Sequence, residues 1–288
     1  MNHSAMSYPA PAKLNLFLHV VGRRADGYHL LQSVFRFLDF GDSLEITLRQ
    51  DGVIRLLSLL PGVPESHDLC WRAAHLLQTH TGCRLGADIG LVKRLPMGGG
   101  LGGGSSDAAT VLLALNRLWG VNLPRVELQA LGLRLGADVP VFVFGRTAFA
   151  EGIGELLMPW TPAPASYVVL MPPVHVSTPA IFTDPGLTRN TPSIKIAALF
   201  DGFGRNDLEP LVCALYPQVA EYLAWLNGQM ECQGGCQSKA RMTGSGACVY
   251  AGFSERAEAE RVFAMRPGHM NGFVADGLDQ HALYGFAD

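Results

Sequence analysis

The sequence has few cysteines, no long hydrophobic run and almost no excess of one charge. Its 288 residues contain six cysteines, and 22 basic residues stand against 25 acidic ones, for a net charge of −3. Apolar stretches such as 56–60 and 139–144 are much shorter than the ~18 residues that a membrane-spanning helix needs. The near-neutral charge gives no support to nucleic acid or an anionic membrane as a partner. We expect neither, and because residues 1–10 lack the basic and apolar regions of a signal peptide, we expect a cytoplasmic protein.

The cysteines predict no disulfide framework. Four of them occur in apolar or helical contexts, where a thiol packs as a small hydrophobic side chain: Cys70, Cys83, Cys213 and Cys248. The remaining pair in "CQGGC", Cys232 and Cys236, has the spacing of a metal or disulfide pair, but no second pair completes a zinc site. We expect reduced loop cysteines.

The first half of the chain carries patterns of both strands and helices. Apolar residues alternate with others from Leu14 to Val20, which predicts a strand, and "VFRFL" and "SLEITL" predict two more, with turns at "RRADGYH" and "DFGD". A helix is predicted from about Asp68 to Gln78 and a strand from about Ala87 to Lys93. Further helices are predicted after residue 107 and over 123–135.

The second half has a similar mixture. The proline-rich segment 159–166 marks a boundary, after which "YVVLMPP" predicts a buried strand. Helices are predicted over 209–227 and 255–265, with strands over 248–252 and 272–275. The sequence therefore predicts an α+β protein with two domains, residues 7–158 and 166–288, and a cleft between them.

The segment "PMGGGLGGGSSDAA", residues 96–109, places six glycines between a strand and a helix. Gly98, Gly100 and Gly103 satisfy the dinucleotide fingerprint G-x-G-x-x-G, but antiparallel strands precede it and no acidic residue follows ~20 positions later. A P-loop would need a lysine directly after the last glycine, where this chain has Ser105. A third interpretation remains: a cradle of backbone N–H groups at a helix N-terminus, which binds phosphate.

This segment resembles the phosphate loop of the GHMP small-molecule kinases, and "PAKLNLFLHV" and "MTGSGACVYAGF" match that superfamily in the expected order. The resemblance covers essentially the whole chain. It implies an N-terminal domain like domain 2 of ribosomal protein S5, a ferredoxin-like C-terminal domain, and ATP with Mg²⁺ as cofactor. It also implies an ATP-binding loop made of Pro96, Met97, Gly98, Gly99, Gly100, Leu101, Gly102, Gly103, Gly104, Ser105 and Ser106.

Two residues are candidates for the chemical step. Phosphoryl transfer needs positioning, charge neutralisation and a group that accepts the hydroxyl proton. The resemblance places Lys13 of "PAKLN" at the acceptor hydroxyl and makes Asp138 of "GADVPVF" the general base. A solvated surface lysine and a helix N-cap are the alternatives for these two positions.

Other segments, above all "ADGYH" and "GADVPVF", resemble one group within the superfamily. Its small-molecule substrate carries a cytidine diphosphate moiety and is phosphorylated on a 2-hydroxyl in the non-mevalonate route to isoprenoid precursors. The resemblance implies that the substrate-binding residues are Asn15, Tyr28, His29, Thr178 and Phe182. It also implies that Asp68 and Lys93 flank the nucleotide, although an asparagine is usual in the family at position 68.

Several points stay open from the sequence. For Mg²⁺ we expect ligands from the nucleotide phosphates, from Ser105 or Ser106 and from water, and we assign no residue as a dedicated metal ligand. Another acceptor, such as homoserine, mevalonate or a sugar, is an alternative on the same fold, and so is a non-catalytic ATP or metabolite sensor. We expect a monomer or a weak homodimer.

Overall fold

The computed structural model describes residues 6–195, 204–231 and 239–287. In these ranges ten strands and eight α-helices are present. The strands are β1 (Met6–Arg23), β2 (His29–Arg49), β3 (Ile54–Leu56), β4 (Gly86–Val92), β5 (Ala148–Glu151), β6 (Leu156–Pro159), β7 (Ser166–Leu170), β8 (Arg241–Met242), β9 (Val249–Phe253) and β10 (Gly272–Leu278). The helices are α1 (Leu69–Thr81), α2 (Gly103–Leu118), α3 (Arg125–Leu133), α4 (Val139–Phe144), α5 (Thr178–Thr183), α6 (Glu209–Leu215), α7 (Pro217–Glu231) and α8 (Arg256–Ala264).

A long antiparallel hairpin of β1 and β2 forms the centre of the first half. Its turn falls at residues 24–28, as predicted, and is closed by a 2.7 Å hydrogen bond from Arg24 N to Tyr28 O. The predicted turn at "DFGD" is wrong, because β2 continues through it without a break. Gly41 pairs with Pro11 there, and a Cβ at Gly41 would lie 2.1 Å from the carbonyl oxygen of Ala10. The glycine thus permits a close strand contact and not a turn.

The sheet runs through the described residues in the order β3-β4-β2-β10-β7-β9-β8, with β1 and β5 also paired to β2. One hydrophobic core lies where the helices α1 to α4 pack against the strands of the first half. A second core lies between the helices and strands of the second half. The α+β fold class predicted from the sequence is therefore confirmed, whereas the domain boundaries at 158 and 166 stay a prediction.

The predicted helix over 209–227 is two helices. Helix α6 ends at Leu215 and α7 starts at Pro217. A proline disfavours helical backbone in the residue before it, and Tyr216 adopts φ −127° and ψ 86°. The break follows directly from the position of that proline.

Cys70, Cys83, Cys213 and Cys248 are free thiols, as expected. Burial raises the pKa of Cys248 to about 12, so this thiol stays protonated at neutral pH. Cys232 and Cys236 lie outside the described residues. No helix within the described ranges is both long and apolar enough to cross a membrane.

Candidate active site

A cleft of about 950 Å³ is lined by residues from both halves of the chain. Its walls come from β1 and β2, from the glycine-rich segment, from α5 and from the turn at 243–246. All but two of the residues predicted from the sequence for ATP, substrate or catalysis line it. The exceptions are Leu101 and Ser106, which are fully buried behind the glycine loop.

The glycine loop connects the end of β4 to the start of α2. Gly98, Gly100 and Gly102 have φ of 70°, 75° and 74°, which only glycine adopts without strain. A Cβ at Gly100 would also lie 2.2 Å from the carbonyl oxygen of Thr243. Because Gly102 directly precedes α2, the loop brings the free N–H groups of a 16-residue helix to the cleft.

Two neighbouring segments hold the loop. Lys13 N donates to Leu101 O at 2.9 Å, and Cys248 N donates to Gly99 O at 3.1 Å. The Thr243 hydroxyl donates to Gly100 O at 3.3 Å and accepts from Asn15 N at 2.9 Å. The "TGSGA" turn, β1 and the loop therefore form one packed unit.

Lys13 and Asp138 form an ion pair inside the cleft. The Lys13 Nζ lies 3.3 Å from Asp138 Oδ2 and donates to Asn15 Oδ1 at 2.5 Å. It also lies 5.3 Å from the centre of the Phe35 ring. Lys13 is 2% exposed, so it is not the solvated surface lysine of the alternative interpretation.

Asp138 occupies the N-cap position of α4 but does not act as a cap. Its side chain makes no capping hydrogen bond, and its backbone is already helical. The Asp138 side chain remains 37% exposed on the cleft side. Its carboxylate is therefore free to meet a ligand while Lys13 balances its charge.

The other end of the cleft contains the aromatic residues of the predicted cytidine site. The His29 and Phe182 rings lie 5.1 Å apart at 33°. Tyr28 is 59% exposed at the rim, in a position to cover a flat ligand. Thr178 Oγ1 lies 2.6 Å from Ser245 Oγ, which ties the start of α5 to the "TGSGA" turn.

A buried charged cluster lies behind the start of α2. Lys93 Nζ contacts Asp42 Oδ2 at 2.5 Å and Asp107 Oδ2 at 2.8 Å. Burial disfavours the Lys93 ammonium, but the two carboxylates outweigh this and raise its pKa above the usual value. For Asp107, burial and the Asp42 charge outweigh Lys93 and raise the pKa to about 7. Asp107 Oδ1 is buried without a hydrogen-bond partner among the described residues.

Asp68 lines the cleft and caps α1 by accepting from Cys70 N at 2.7 Å. Asp68 thus serves as the N-cap of α1, a role that aspartate and asparagine fill equally well.

Several residues of this site were not predicted from the sequence. Asp42 gave no signal, because its role depends on β2 meeting residues 93–95. Asp107 belongs to the "SSDAA" segment but suggested only a helix start. Ser33 accepts from Asn15 Nδ2 at 2.8 Å and so orients a candidate substrate residue. Ser33 and Asp42 lie on β2 and are brought to the site by strand pairing, which local patterns do not encode.

The fold and the cleft define the chain as an ATP-dependent small-molecule kinase, and residues 68–146 match the family model described as "GHMP kinases N terminal domain". The chain is 62% identical to the 4-diphosphocytidyl-2-C-methyl-D-erythritol kinase of Thiobacillus denitrificans over 98% of its length and 99% of the relative's. It is 59% identical to the enzyme of that name from Nitrosospira multiformis over 100% of the chain and 96% of the relative. The chain belongs to the 4-diphosphocytidyl-2-C-methyl-D-erythritol kinase family.

Solved structures agree with this placement. A crystal structure of a 4-(cytidine 5'-diphospho)-2C-methyl-D-erythritol kinase matches with a TM-score of 0.79 and 34% identity, covering 94% of this chain and 99% of that one. The mevalonate kinase of Methanococcus jannaschii matches with a TM-score of 0.64 and 14% identity, covering 98% and 100%. At that identity the second match shows the fold alone.

Proposed function

We propose that this chain transfers the γ-phosphoryl group of ATP to the 2-hydroxyl of 4-diphosphocytidyl-2-C-methyl-D-erythritol, giving the 2-phosphate and ADP in the non-mevalonate route to isoprenoid precursors. The observation that carries the proposal is the Lys13–Asp138 ion pair, with 3.3 Å between charged atoms. It lies in the same cleft as the glycine loop and the His29–Phe182 pair. The proposed phosphate-binding loop, the Lys13–Asp138 pair and the proposed cytosine site therefore share one cavity.

Asp138 accepts the proton of the acceptor hydroxyl in this proposal. Its carboxylate is exposed to the cleft and lies 3.3 Å from the Lys13 ammonium, so it can reach the hydroxyl of a bound acceptor. Lys13 also stabilises negative charge that develops on the attacking and transferred oxygens. Asn15 and the backbone of Leu101 hold Lys13 in place for both roles.

The glycine loop and the N-terminus of α2 bind the ATP phosphates in this proposal. The absence of Cβ atoms lets backbone N–H groups approach phosphate oxygens, and the helix dipole favours their charge. Asp68 and Lys93, which line the same cleft, flank the nucleotide.

The residues at the start of α2 also fit Mg²⁺. Among the described residues no group of three His, Cys, Asp or Glu side chains could hold a metal on its own. Mg²⁺ commonly binds through substrate phosphates and one or two protein oxygens. The Ser105 hydroxyl and Asp107, whose Oδ1 has no partner in the described chain, would hold it there. When bound, Mg²⁺ neutralises phosphate charge.

The cytidine moiety binds at Tyr28, His29 and Phe182 in this proposal, with Thr178 beside them. The exposed ring of Tyr28 and the Phe182 ring, which contacts His29, suit a flat heterocycle, since bases stack on aromatic faces. A small aliphatic acceptor such as mevalonate or homoserine would leave these rings unused. The retained ion pair likewise argues against a sensor without catalysis.

ADP release tests the proposal directly. The protein is given magnesium-ATP with 4-diphosphocytidyl-2-C-methyl-D-erythritol, with mevalonate or with homoserine in separate reactions. We expect turnover with the first substrate alone. Turnover with one of the other two and none with the first would contradict the assignment and leave a different acceptor on the same fold. The predicted monomer or weak homodimer is checked on the same sample by light scattering.

A further inference from the structure

Arg189 connects His29 to the backbone that carries Phe182, and both residues belong to the predicted cytidine site. It lies on the segment that follows α5, and its Nε donates to His29 Nε2 at 3.0 Å. One terminal nitrogen donates to Phe182 O at 3.0 Å and to Asp184 O at 2.6 Å, and the other donates to Leu187 O at 3.0 Å. One guanidinium thus holds both the imidazole of His29 and the backbone that carries Phe182.

The contact determines which nitrogen of His29 carries the proton. An arginine only donates hydrogen bonds, so His29 Nε2 must be the acceptor and the ring proton must be on Nδ1. Burial, followed by the positive charges of Arg189 and Arg23, lowers the pKa of His29 below its usual value, which favours the neutral ring. The neutral Nδ1–H form is therefore the state that the surrounding groups stabilise.

We propose that Arg189 is a positioning residue that holds His29 as the Nδ1–H tautomer, so that the ring presents a fixed donor to an acceptor atom on the edge of the bound base. The inference rests on the proposed function, because it assumes a cytidine ligand in this pocket. His29 lines the cleft, and no group in the described chain hydrogen-bonds to its Nδ1. Cytosine offers an acceptor at N3, whereas uracil has an N–H donor there, so a fixed donor favours cytosine.

Substitution of Arg189 tests this role. R189M removes every donor while keeping an unbranched side chain, and R189K keeps the charge and a single donor nitrogen. R134M is the matched control, because Arg134 is exposed and does not line the cleft. The dissociation constants of CMP, UMP and ADP are measured by calorimetry, and the His29 tautomer by nitrogen-15 NMR.

We expect R189M to weaken CMP binding by about 10- to 100-fold, the range for losing a hydrogen bond from a charged group. The preference for CMP over UMP should fall with it, while ADP affinity stays at the wild-type value and shows that the fold is intact. The NMR spectrum should change from one Nδ1–H form to a mixture. R189K should keep the tautomer and part of the affinity, and R134M should match the wild type.

Unchanged CMP affinity in R189M, or a wild-type His29 protonated at Nε2, would overturn the inference and leave the proposed function intact. A wild-type protein that binds CMP but does not phosphorylate 4-diphosphocytidyl-2-C-methyl-D-erythritol would instead remove the proposed reaction. In that case the CMP and tautomer measurements would still support or overturn the role of Arg189.

Discussion

At the scale of single residues, Lys13 and Asp138 depend on each other. A buried ammonium is costly unless it is paired, and Lys13 at 2% exposure has Asp138 as its charged partner. Asp138 in turn occupies the N-cap position of α4, but its side chain makes no capping hydrogen bond. The arrangement gives up a local stabilising contact and gains a carboxylate directed into the cleft.

The substitution D138N tests the base role. The amide is nearly isosteric but cannot take a proton from the acceptor hydroxyl. We expect turnover to fall by about 10²- to 10⁴-fold, the usual contribution of a positioned base. ADP and CMP affinities should stay within a few fold of wild type, because neither ligand needs the carboxylate. D51N, at an exposed position outside the cleft, is the control and should keep normal turnover. Near-normal turnover in D138N would remove Asp138 from the base role.

Asp107 provides a pH-dependent term in stability. Its pKa is about 7 in the folded protein against 3.8 as its ordinary value. Between about pH 4 and 7 the folded state therefore binds more protons at this site than the unfolded state. The contribution of Asp107 is fully present below pH 4 and is lost as the pH rises to about 7.

The substitution D107N should remove the loss of stability that ionisation of Asp107 causes as the pH rises. We expect the free energy of unfolding of D107N, relative to wild type, to be more favourable at pH 8 than at pH 5, by a difference on the order of 1 kcal/mol or more. Urea denaturation at the two pH values measures it. D51N is the control, since the pKa of Asp51 is about 2 and its ionisation is complete at both pH values. A difference that is the same at pH 5 and pH 8 would contradict the raised pKa.

At the scale of elements, the sequence predicts what is local and misses what depends on pairing. The glycine loop and the helix after it are recognisable because backbone freedom, serines and helical periodicity adjoin in one segment. The "DFGD" turn is wrong because the same residue types also serve a close strand contact, which becomes visible only when Gly41 meets Pro11. Asp42 and Arg189 escaped notice because their partners are distant in the chain. The motifs that line the cleft can therefore be predicted from the sequence, whereas the residues that hold those motifs in place cannot.

Gly100 shows how strictly the loop depends on glycine. An alanine there meets the Thr243 carbonyl at 2.2 Å and has an unfavourable φ of 75°. We expect G100A to weaken ADP binding by more than about tenfold and to destabilise the protein by at least about 1 kcal/mol. Calorimetry and urea denaturation measure the two effects.

G228A is the matched control for G100A. Gly228 lies inside α7, and a Cβ there has nothing within 4 Å. It should leave ADP affinity unchanged and stabilise the protein by about 0.5–1 kcal/mol. If G100A and G228A had the same ADP affinity and the same stability, the loop would tolerate a side chain at position 100.

At the scale of the whole molecule, the two halves meet where β10 pairs with β2 and along β1, which hydrogen-bonds to residues 205, 207 and 243. Gly277 pairs with Leu38 and Leu278 with Phe37. Arg36 is 2% exposed at this junction, forms an ion pair with Asp279 and donates to Gly277 O at 3.1 Å. A sheet that continues across the junction couples the strands that line the cleft, and so we expect the two cores to unfold together.

G277A tests this coupling. A Cβ at Gly277 would lie 2.4 Å from Arg36 Nε, whose guanidinium is held in place, so the substitution should disrupt the junction. Hydrogen exchange in denaturant, followed at β4 in one half and β9 in the other, should show the free energy of unfolding falling by a similar amount at both strands. G268A is the control, because a Cβ there has nothing within 4 Å, and its effect should stay within about 0.5 kcal/mol. If β9 lost protection in G277A while β4 kept it, the two halves would be independently stable units, and the expected coupling through the sheet would be contradicted.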